Sequence, residues 1–448
     1  MFATDDTIVA IATPHGRGAL GVVRLSGPRA LELAGSLLER GSALQPRYAT
    51  LTRVQCDDEV IATYFPAPHS YTGEHVVEIT GHGSPVLLHA ILSRAIAAGA
   101  RLAEPGEFTL RAFLNGKRDL IQSEAVADLI DAATPLQARV AFDQLEGTLT
   151  ERIAAIDTRL FDLIARLEAS LDFPDEGYHF VAPAHAAAEI GAVIDALDDL
   201  LAGATAGRMI REGATVVVAG RPNVGKSSVF NRLAGAARAI VTAIPGTTRD
   251  LVTETIDIEG IAITLVDTAG WRATHDVIES EGVARGTQAR GVANLVLLVL
   301  DASEPLTRED EQLLEDTANR NRIVVINKID LARAQSPVAQ TLKVCATGIS
   351  ALTGTGFDAL RCAIAAALVG EEPLRDAPPI SNARHISLLE QCRASLDAAR
   401  NAADAANVPE EFLLVDLQAA RTRLDEIVGR RTSEDVLRHI FERFCIGK

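Results

Sequence analysis

The chain has 448 residues, 48% hydrophobic and 4% aromatic, and its 43 Lys and Arg against 60 Asp and Glu give a formal net charge of −17. That length exceeds one ordinary core and predicts about three domains, while the acidic balance means that any nucleic acid must be met by a local basic patch rather than by the field of the whole molecule. No apolar run reaches the roughly eighteen residues of a bilayer span and "MFATDDTIVA" does not read as a signal peptide, so a cytoplasmic chain with no membrane association is expected.

From Asp6 to about Leu114, β-rich runs ("TIVAIAT", "LGVVRLS", "VIATYF", "HVVEITGH") alternate with helical stretches such as "PVLLHAILSRAIAAG", the pattern of a compact α+β domain. From Gln122 the period changes. Leu145, Leu149, Ile153, Ile156, Leu160, Leu163, Leu167 and Leu171 recur at threes and fours, predicting one buried face of a long helix that stops at Pro174. A further helix, "AHAAAEIGAVIDALDDLLAGA", precedes "TVVVAG", where a parallel α/β domain begins. Its strands continue as "IAITLVDTAG", "LVLLVLDAS" and "RIVVINKID" up to the charged, Pro-containing break "EEPLRDAPPI". Beyond that, "HISLLEQCRASLDAARNAADA" and "EEFLLVDLQAARTRLDEIVG" are helical again. The expected fold is therefore multidomain α/β plus α: an N-terminal α+β domain (1–117), a helical-bundle domain built from two sequence halves (118–211 and 377–448), and an α/β domain (212–376) inserted between them, which the motifs it carries make a Ras-like P-loop G domain.

The inserted segment carries the chemistry. "GRPNVGKSS" fits G-x-x-x-x-G-K-[ST] from Gly220 to Ser227, directly after a predicted strand and before a predicted helix. Glycines let backbone N–H groups wrap phosphates, so Asn223, Val224, Gly225, Lys226, Ser227 and Ser228 form the expected phosphate cradle, with Lys226 on the β and γ oxygens and the Ser227 hydroxyl on Mg²⁺. "DTAG" (Asp267, Thr268, Ala269, Gly270) ends a β-like run, where the carboxylate suits the Mg²⁺ shell and the Gly270 N–H the γ-phosphate. In "NKID", Asn327, Lys328 and Asp330 suit a guanine ring, because one carboxylate accepts from two ring N–H groups that adenine does not offer together. Ser350 and Ala351 of "SAL" complete the base pocket.

Between these motifs, "TAIPGTTRD" supplies Thr248 as a second hydroxyl for Mg²⁺. Trp271 follows "DTAG" where Ras-like proteins place a water-orienting Gln, and an indole cannot do that work. Asn223 with the backbone of the "TAIPGTT" loop could instead hold a monovalent cation. The five cysteines, Cys56, Cys345, Cys362, Cys392 and Cys445, form no C-x-x-C pair, which argues against a disulfide framework or zinc ribbon and fits a reducing compartment. Cys445 in "ERFCIGK" has the formal shape of a prenylation box, but Gly447, Lys448 and the lack of a polybasic segment oppose it; the ordinary reading is a buried cysteine in the last turn of an amphipathic helix.

With "IPGTTRD", "ISALTGTG", the N-terminal "DTIVAIATPHGRGALGVVRLSG", "NGKRDLIQSEAVADLI" and the terminal "FCIGK" all in order around the G motifs, the chain resembles the MnmE (TrmE) tRNA-modification GTPase family over essentially its whole length. The resemblance implies a homodimer joined through N-terminal domains that bind 5-formyltetrahydrofolate or a related tetrahydrofolate. It also implies an FAD-containing flavoprotein partner, MnmG, in a heterotetramer or larger assembly, with tRNA as substrate. Together they would install a carboxymethylaminomethyl or aminomethyl group at C5 of the wobble uridine, regulated by GTP hydrolysis to GDP. Residue by residue it places Arg24, Glu78, Lys117 and Lys448 at the folate, and Asn223, Thr242, Ile244 and Thr247 at K⁺. Ser227 and Thr248 fall at Mg²⁺, Glu279 on the attacking water as a catalytic residue beside Lys226, and Cys445 as a functional thiol of the modification. Taken alone, the folate-side cations are ordinary surface ion pairs and Glu279 is a helix-surface carboxylate. Trp271 replaces the more usual Leu, and "RATHD" is less acidic than the family pattern. The alternatives from other classes are a ribosome-assembly GTPase switch, which shares the G motifs, and a helical scaffold with a vestigial G domain.

Overall fold

A computed structural model describes residues 5–39, 44–54, 58–172, 183–236, 253–267, 293–331, 346–370, 380–404 and 410–448. The chain divides into two compact units, one of Met1–Ala127, Gln144–Ile164 and Val415–Lys448, the other of Asp128–Asp143 and Ala165–Leu414. Among the described residues no helix is long and apolar enough to cross a membrane.

The N-terminal part is a mixed sheet with two helices on one face. Strands β1 (Ile8–Ile11) and β2 (Leu20–Ser26) are followed by helix α1 (Ala30–Leu37), then β3 (Thr50–Val54), β4 (Asp58–Phe65), β5 (Val76–His82), α2 (Pro85–Ala97), the two-residue β6 (Arg101–Leu102) and α3 (Glu107–Leu114). The order is β3-β4-β5-β2-β1-β6, antiparallel except for β1 with β6. Alternation puts Val23, Leu25, Val77 and Ile79 at 0% exposure against Leu33, Ile91 and Ala95 of the two helices, each large aliphatic contributing about 1.5–3 kcal/mol. In the β2–β5 register Arg24 lies opposite Glu78, which sets the two side by side on neighbouring strands.

Helices α4 (Leu120–Asp131), α5 (Pro135–Leu145), α6 (Thr148–Asp172), α7 (Pro183–Leu201) and α8 (Ala204–Glu212) follow. The long stripe belongs to α6, whose Leu149, Ile153, Ile156, Leu160, Leu163 and Leu167 are all buried. Leu145 does not share that helix: Gly147, at φ 95°, breaks the chain between α5 and α6, so the even spacing of leucines crosses two elements.

The second sheet comprises β7 (Ala214–Ala219), β8 (Thr253–Ile258), β9 (Ile261–Asp267), β10 (Leu295–Asp301), β11 (Arg322–Asn327) and β12 (Ala346–Gly348), with α9 (Lys226–Ala236) and α10 (Arg308–Asp316) between strands and α11 (Phe357–Val369) after the last. Its order is β12-β11-β10-β7-β9-β8, parallel except for the β8–β9 hairpin. Every residue of β10 is buried, as an apolar run covered on both faces requires. Because parallel strands all end at one edge, Ala219, Asp267, Asp301 and Asn327 terminate together, where α/β sheets bind ligands.

Helices α12 (Ala383–Asp404), α13 (Glu410–Val428) and α14 (Glu434–Phe441) complete the chain. Asp198 of α7 pairs with Arg393 of α12. Gly207 of α8 lets Ile380 approach so closely that a Cβ would lie 1.9 Å from the Ile380 carbonyl oxygen. The segments that enter and leave the second sheet therefore touch.

Candidate nucleotide site and N-terminal cluster

The phosphate-loop geometry follows from three left-handed backbone positions, Gly220 (φ 149°), Asn223 (φ 66°) and Gly225 (φ 96°). A Cβ on Gly225 would fall 2.3 Å from Asn327 Nδ2, and one on Gly220 2.4 Å from the Val299 carbonyl oxygen, so the glycines meet spatial as well as torsional demands. Val224 is fully buried and pins the loop to the core, while Ser227 and Ser228 are exposed in the first turn of α9. Helix N-termini favour anions there. Lys226 is 9% exposed and its Nζ donates to the Arg221 carbonyl oxygen at 2.8 Å, bridging the phosphate loop.

Asn327 joins two loops. Its Nδ2 donates to the Val224 carbonyl (2.9 Å) and its Oδ1 accepts from the Ala351 N–H (3.0 Å). Lys328 (φ 67°) donates to the Asn223 carbonyl (2.9 Å) and to Asp301 Oδ2 (2.6 Å). Burial works against ionising Asp301, but hydrogen bonds from Lys328 and Ser303 outweigh it and hold its carboxyl below the usual range. Asp330 accepts from the Ser350 hydroxyl (2.5 Å) and remains exposed, with acceptor capacity for ring N–H groups. Asp267 is 5% exposed at the end of β9, in register with Val218 of β7. A cradle of left-handed positions, an ammonium, a hydroxyl and a carboxylate at one sheet edge fit a nucleoside triphosphate with a divalent cation.

In the N-terminal unit, Arg24 Nε and Nη2 each lie 2.8 Å from Glu78 Oε1, and Arg24 Nη1 donates to the Gly447 carbonyl (3.4 Å). The guanidinium stands 5.1 Å from the Tyr71 ring centroid and 5.6 Å from that of Phe108, a cation–π arrangement. The terminal residues are seated by backbone bonds: Ile446 bridges Pro105, Gly106 N–H donates to the Cys445 carbonyl (3.4 Å) and Phe108 N–H to the Lys448 carbonyl (3.2 Å). Cys445 is exposed and lies beyond α14, so the ordinary reading of a buried helical cysteine does not hold. Lys117 is exposed, with its stem over Gly73.

The comparisons with known proteins cover the full chain. Residues 7–117 match the N-terminus of the GTP-binding protein TrmE and residues 120–445 the MnmE helical domain. The tRNA modification GTPase MnmE of Koribacter versatilis is 46% identical over 454 residues, covering 99% of both chains, and that of Nitrosomonas europaea 43% identical, covering 99% of this chain and 100% of its own. The chain belongs to the MnmE family. Among solved structures, a GDP·AlF4⁻-bound variant of Aquifex aeolicus Era aligns with 41% of this chain and 66% of its own at 30% identity and a TM-score of 0.29.

Of the residues that the motifs and the MnmE resemblance singled out, the structure brings together Asn223, Val224, Gly225, Lys226, Asn327, Lys328 and Ala351 at one edge, and Arg24, Glu78 and the Gly447–Lys448 backbone in the other unit. Thr242, Ile244, Thr247, Thr248, Thr268, Ala269, Gly270, Trp271 and Glu279 lie outside the described residues, as do Cys56 and Cys345. Sequence reasoning missed Asp301, the partner of Lys328. It also missed an ionic group around Arg111, a guanidinium 1% exposed that donates to Asp6 Oδ1 (2.5 Å), Glu74 (3.2 Å) and Glu107 Oε1 (3.0 Å). Arg101 adds bonds to Asp6 (2.5 Å) and Glu107 (2.6 Å). For both Asp6 and Glu107 burial opposes ionisation, and the two arginines reverse it, lowering each carboxyl. The network holds the start of α3, where the terminal residues are seated.

Proposed function

We propose that this chain is a GTP-hydrolysing enzyme of tRNA modification that works with an FAD-containing flavoprotein, MnmG, to install a carboxymethylaminomethyl or aminomethyl group at C5 of the wobble uridine. The observation that carries the GTPase part is the double grip of Asn327 on the phosphate loop and the Ser350–Ala351 loop, which ties base recognition to phosphate recognition in one frame. Lys226 neutralises β and γ oxygens, Ser227 and Asp267 serve the Mg²⁺ shell with Thr248, and Asp330 selects guanine. Bound Mg²⁺ supplies charge neutralisation on the phosphates. Asn223, Thr242, Ile244 and Thr247 take K⁺ in the role of an arginine finger, and Glu279 orients the attacking water.

The Arg24–Glu78 pair beside Tyr71 and Phe108 suits a folate, with a carboxylate for pterin N–H groups, rings for its flat face, and Lys117 and Lys448 for its glutamate tail. In this reading the layout is 1–117 for folate and dimerisation, 118–211 and 377–448 for the helical domain, and 212–376 for the inserted G domain, in a cytoplasmic homodimer. A ribosome-assembly switch is not favoured, since the family likeness runs through the N-terminal and helical segments as well as the G motifs. The test pairs a GTPase assay on the purified chain with nucleoside analysis of tRNA from cells lacking it. Hydrolysis together with loss of the wobble modification is expected; intact wobble uridine modification in those cells would overturn the reading.

A further inference from the structure

Strands β8 and β9 meet in a two-residue turn, Glu259 (φ 51°) and Gly260 (φ 87°), after the Ile258–Ile261 pair. Two positive φ values make this the tight turn that matches sheet twist. Glu259 is exposed, but Gly260 is partly covered. The Thr134 hydroxyl, on a residue 3% exposed, donates to the Gly260 carbonyl at 2.7 Å, and the Leu136 side chain covers Gly260 so closely that a Cβ there would lie 2.7 Å from Leu136 Cδ2.

Thr134 also caps α5. Its Oγ1 accepts from the Gln137 N–H (3.2 Å), while Gln137 Oε1 accepts from Ala133 and Thr134 N–H (2.7 and 3.2 Å), a reciprocal capping arrangement. The same Gln137 sends Nε2 to the Ile210 and Arg211 carbonyls (2.8 and 3.3 Å) at the end of α8, and Arg211 is held by Asp128 through two bonds of 2.7 and 2.8 Å. The start of α5 therefore grips both the helix leading into the sheet and the tip of its hairpin.

The other end of that hairpin is Asp267. Strand β9 is paired on both sides, by β7 and β8, so it transmits displacement along its length of about 20 Å rather than stretching. Beside the grip lies a cavity of about 260 Å³, bordered by Gln137, Arg211, Thr255 and Thr264. We propose that the hairpin tip seated under Thr134 and Leu136 is the contact through which the nucleotide state sensed at Asp267 passes to α5. This coupling rests on the GTPase reading above.

Hydrogen exchange on the full-length chain with Mg²⁺ and either GDP or a non-hydrolysable GTP analogue tests it. Residues 133–138 should exchange about fivefold differently between the two nucleotides, the change that one net hydrogen bond produces. In the double variant Thr134→Val, Leu136→Ala, the nucleotide response of residues 253–267 should persist and that of 133–138 should vanish, while Thr134→Ser, which keeps donor and cap, should restore it. Equal exchange at 133–138 with both nucleotides, when residues 220–228 are protected by each, overturns the coupling, as does a response that survives in the double variant. If neither nucleotide protects 220–228, the GTPase reading itself fails and the coupling falls with it.

Discussion

Gly225 and Asn327 share one gap, and neither residue can change without the other losing its place. Gly225→Ala would put a methyl 2.3 Å from Asn327 Nδ2 at a φ of 96°, so it both strains the loop and displaces the amide that holds Val224 and Ala351. The strain of about 1–3 kcal/mol predicts GDP affinity lower by about tenfold or more, measured by calorimetry; unchanged affinity would show that the loop relaxes freely. Asp301 offers a different test. Burial alone would raise its carboxyl, yet hydrogen bonds from Lys328 and Ser303 leave it below the usual range. A depressed carboxyl contributes stability above its unfolded value of about 3.9, and that contribution is lost as pH falls through the lower folded value. Urea midpoints below about pH 4 should therefore fall less steeply for Asp301→Asn than for the parent chain. Parallel slopes would mean that Lys328 does not govern that carboxylate.

At the level of elements, legibility followed the length and contiguity of the signal. Buried runs such as Leu295–Asp301 and half-buried alternation such as Leu20–Ser26 are readable because burial acts on every residue of the strand. Arg101–Leu102 and Ala346–Gly348 are too short to show any period, and pairing with a neighbour alone makes them strands. The leucine spacing concealed the break at Gly147, since threes and fours continue across it. The phosphate loop and the Asn327–Asp330 motif could be read because their residues are adjacent in the chain. The network of Asp6, Glu74, Arg101, Glu107 and Arg111 could not, because its members meet only through the fold. Folding also fixes the seat of the terminal segment: Gly447 has φ 99° and no space for a Cβ, which would lie 2.4 Å from the Ile11 carbonyl oxygen. Gly447→Ala should unseat that segment, so the Gly106 and Phe108 amides exchange faster while the phosphate loop is unchanged. Protection equal to the parent would place the hold elsewhere.

Across the whole molecule the two proposed sites reside in separate units, and each has its own perturbation. Because Trp271 stands where a water-orienting Gln would be expected, hydrolysis should depend on K⁺, and exchange of K⁺ for Na⁺ should slow turnover by about tenfold or more, the scale of a lost transition-state charge contact. Equal rates in both salts would exclude a cation in that role. Cys445→Ser addresses the other unit. The thiol is exposed, and its own carbonyl accepts the Gly106 N–H, so the backbone seat does not depend on sulfur. Serine keeps the size and removes the thiolate, the nucleophilic form of cysteine. The seat, the Arg24–Glu78 pair and the phosphate loop should therefore persist while thiol chemistry is lost. The expected outcome is a single-turnover GTPase rate equal to that of the parent chain, with wobble-uridine modification absent from the tRNA of cells that carry only the variant. A parallel melting curve at the parental temperature confines the effect to chemistry. Modification at the parental level would remove Cys445 from the reaction. A GTPase rate that fell with it, at unchanged stability, would instead reveal that the terminal segment acts on the nucleotide site.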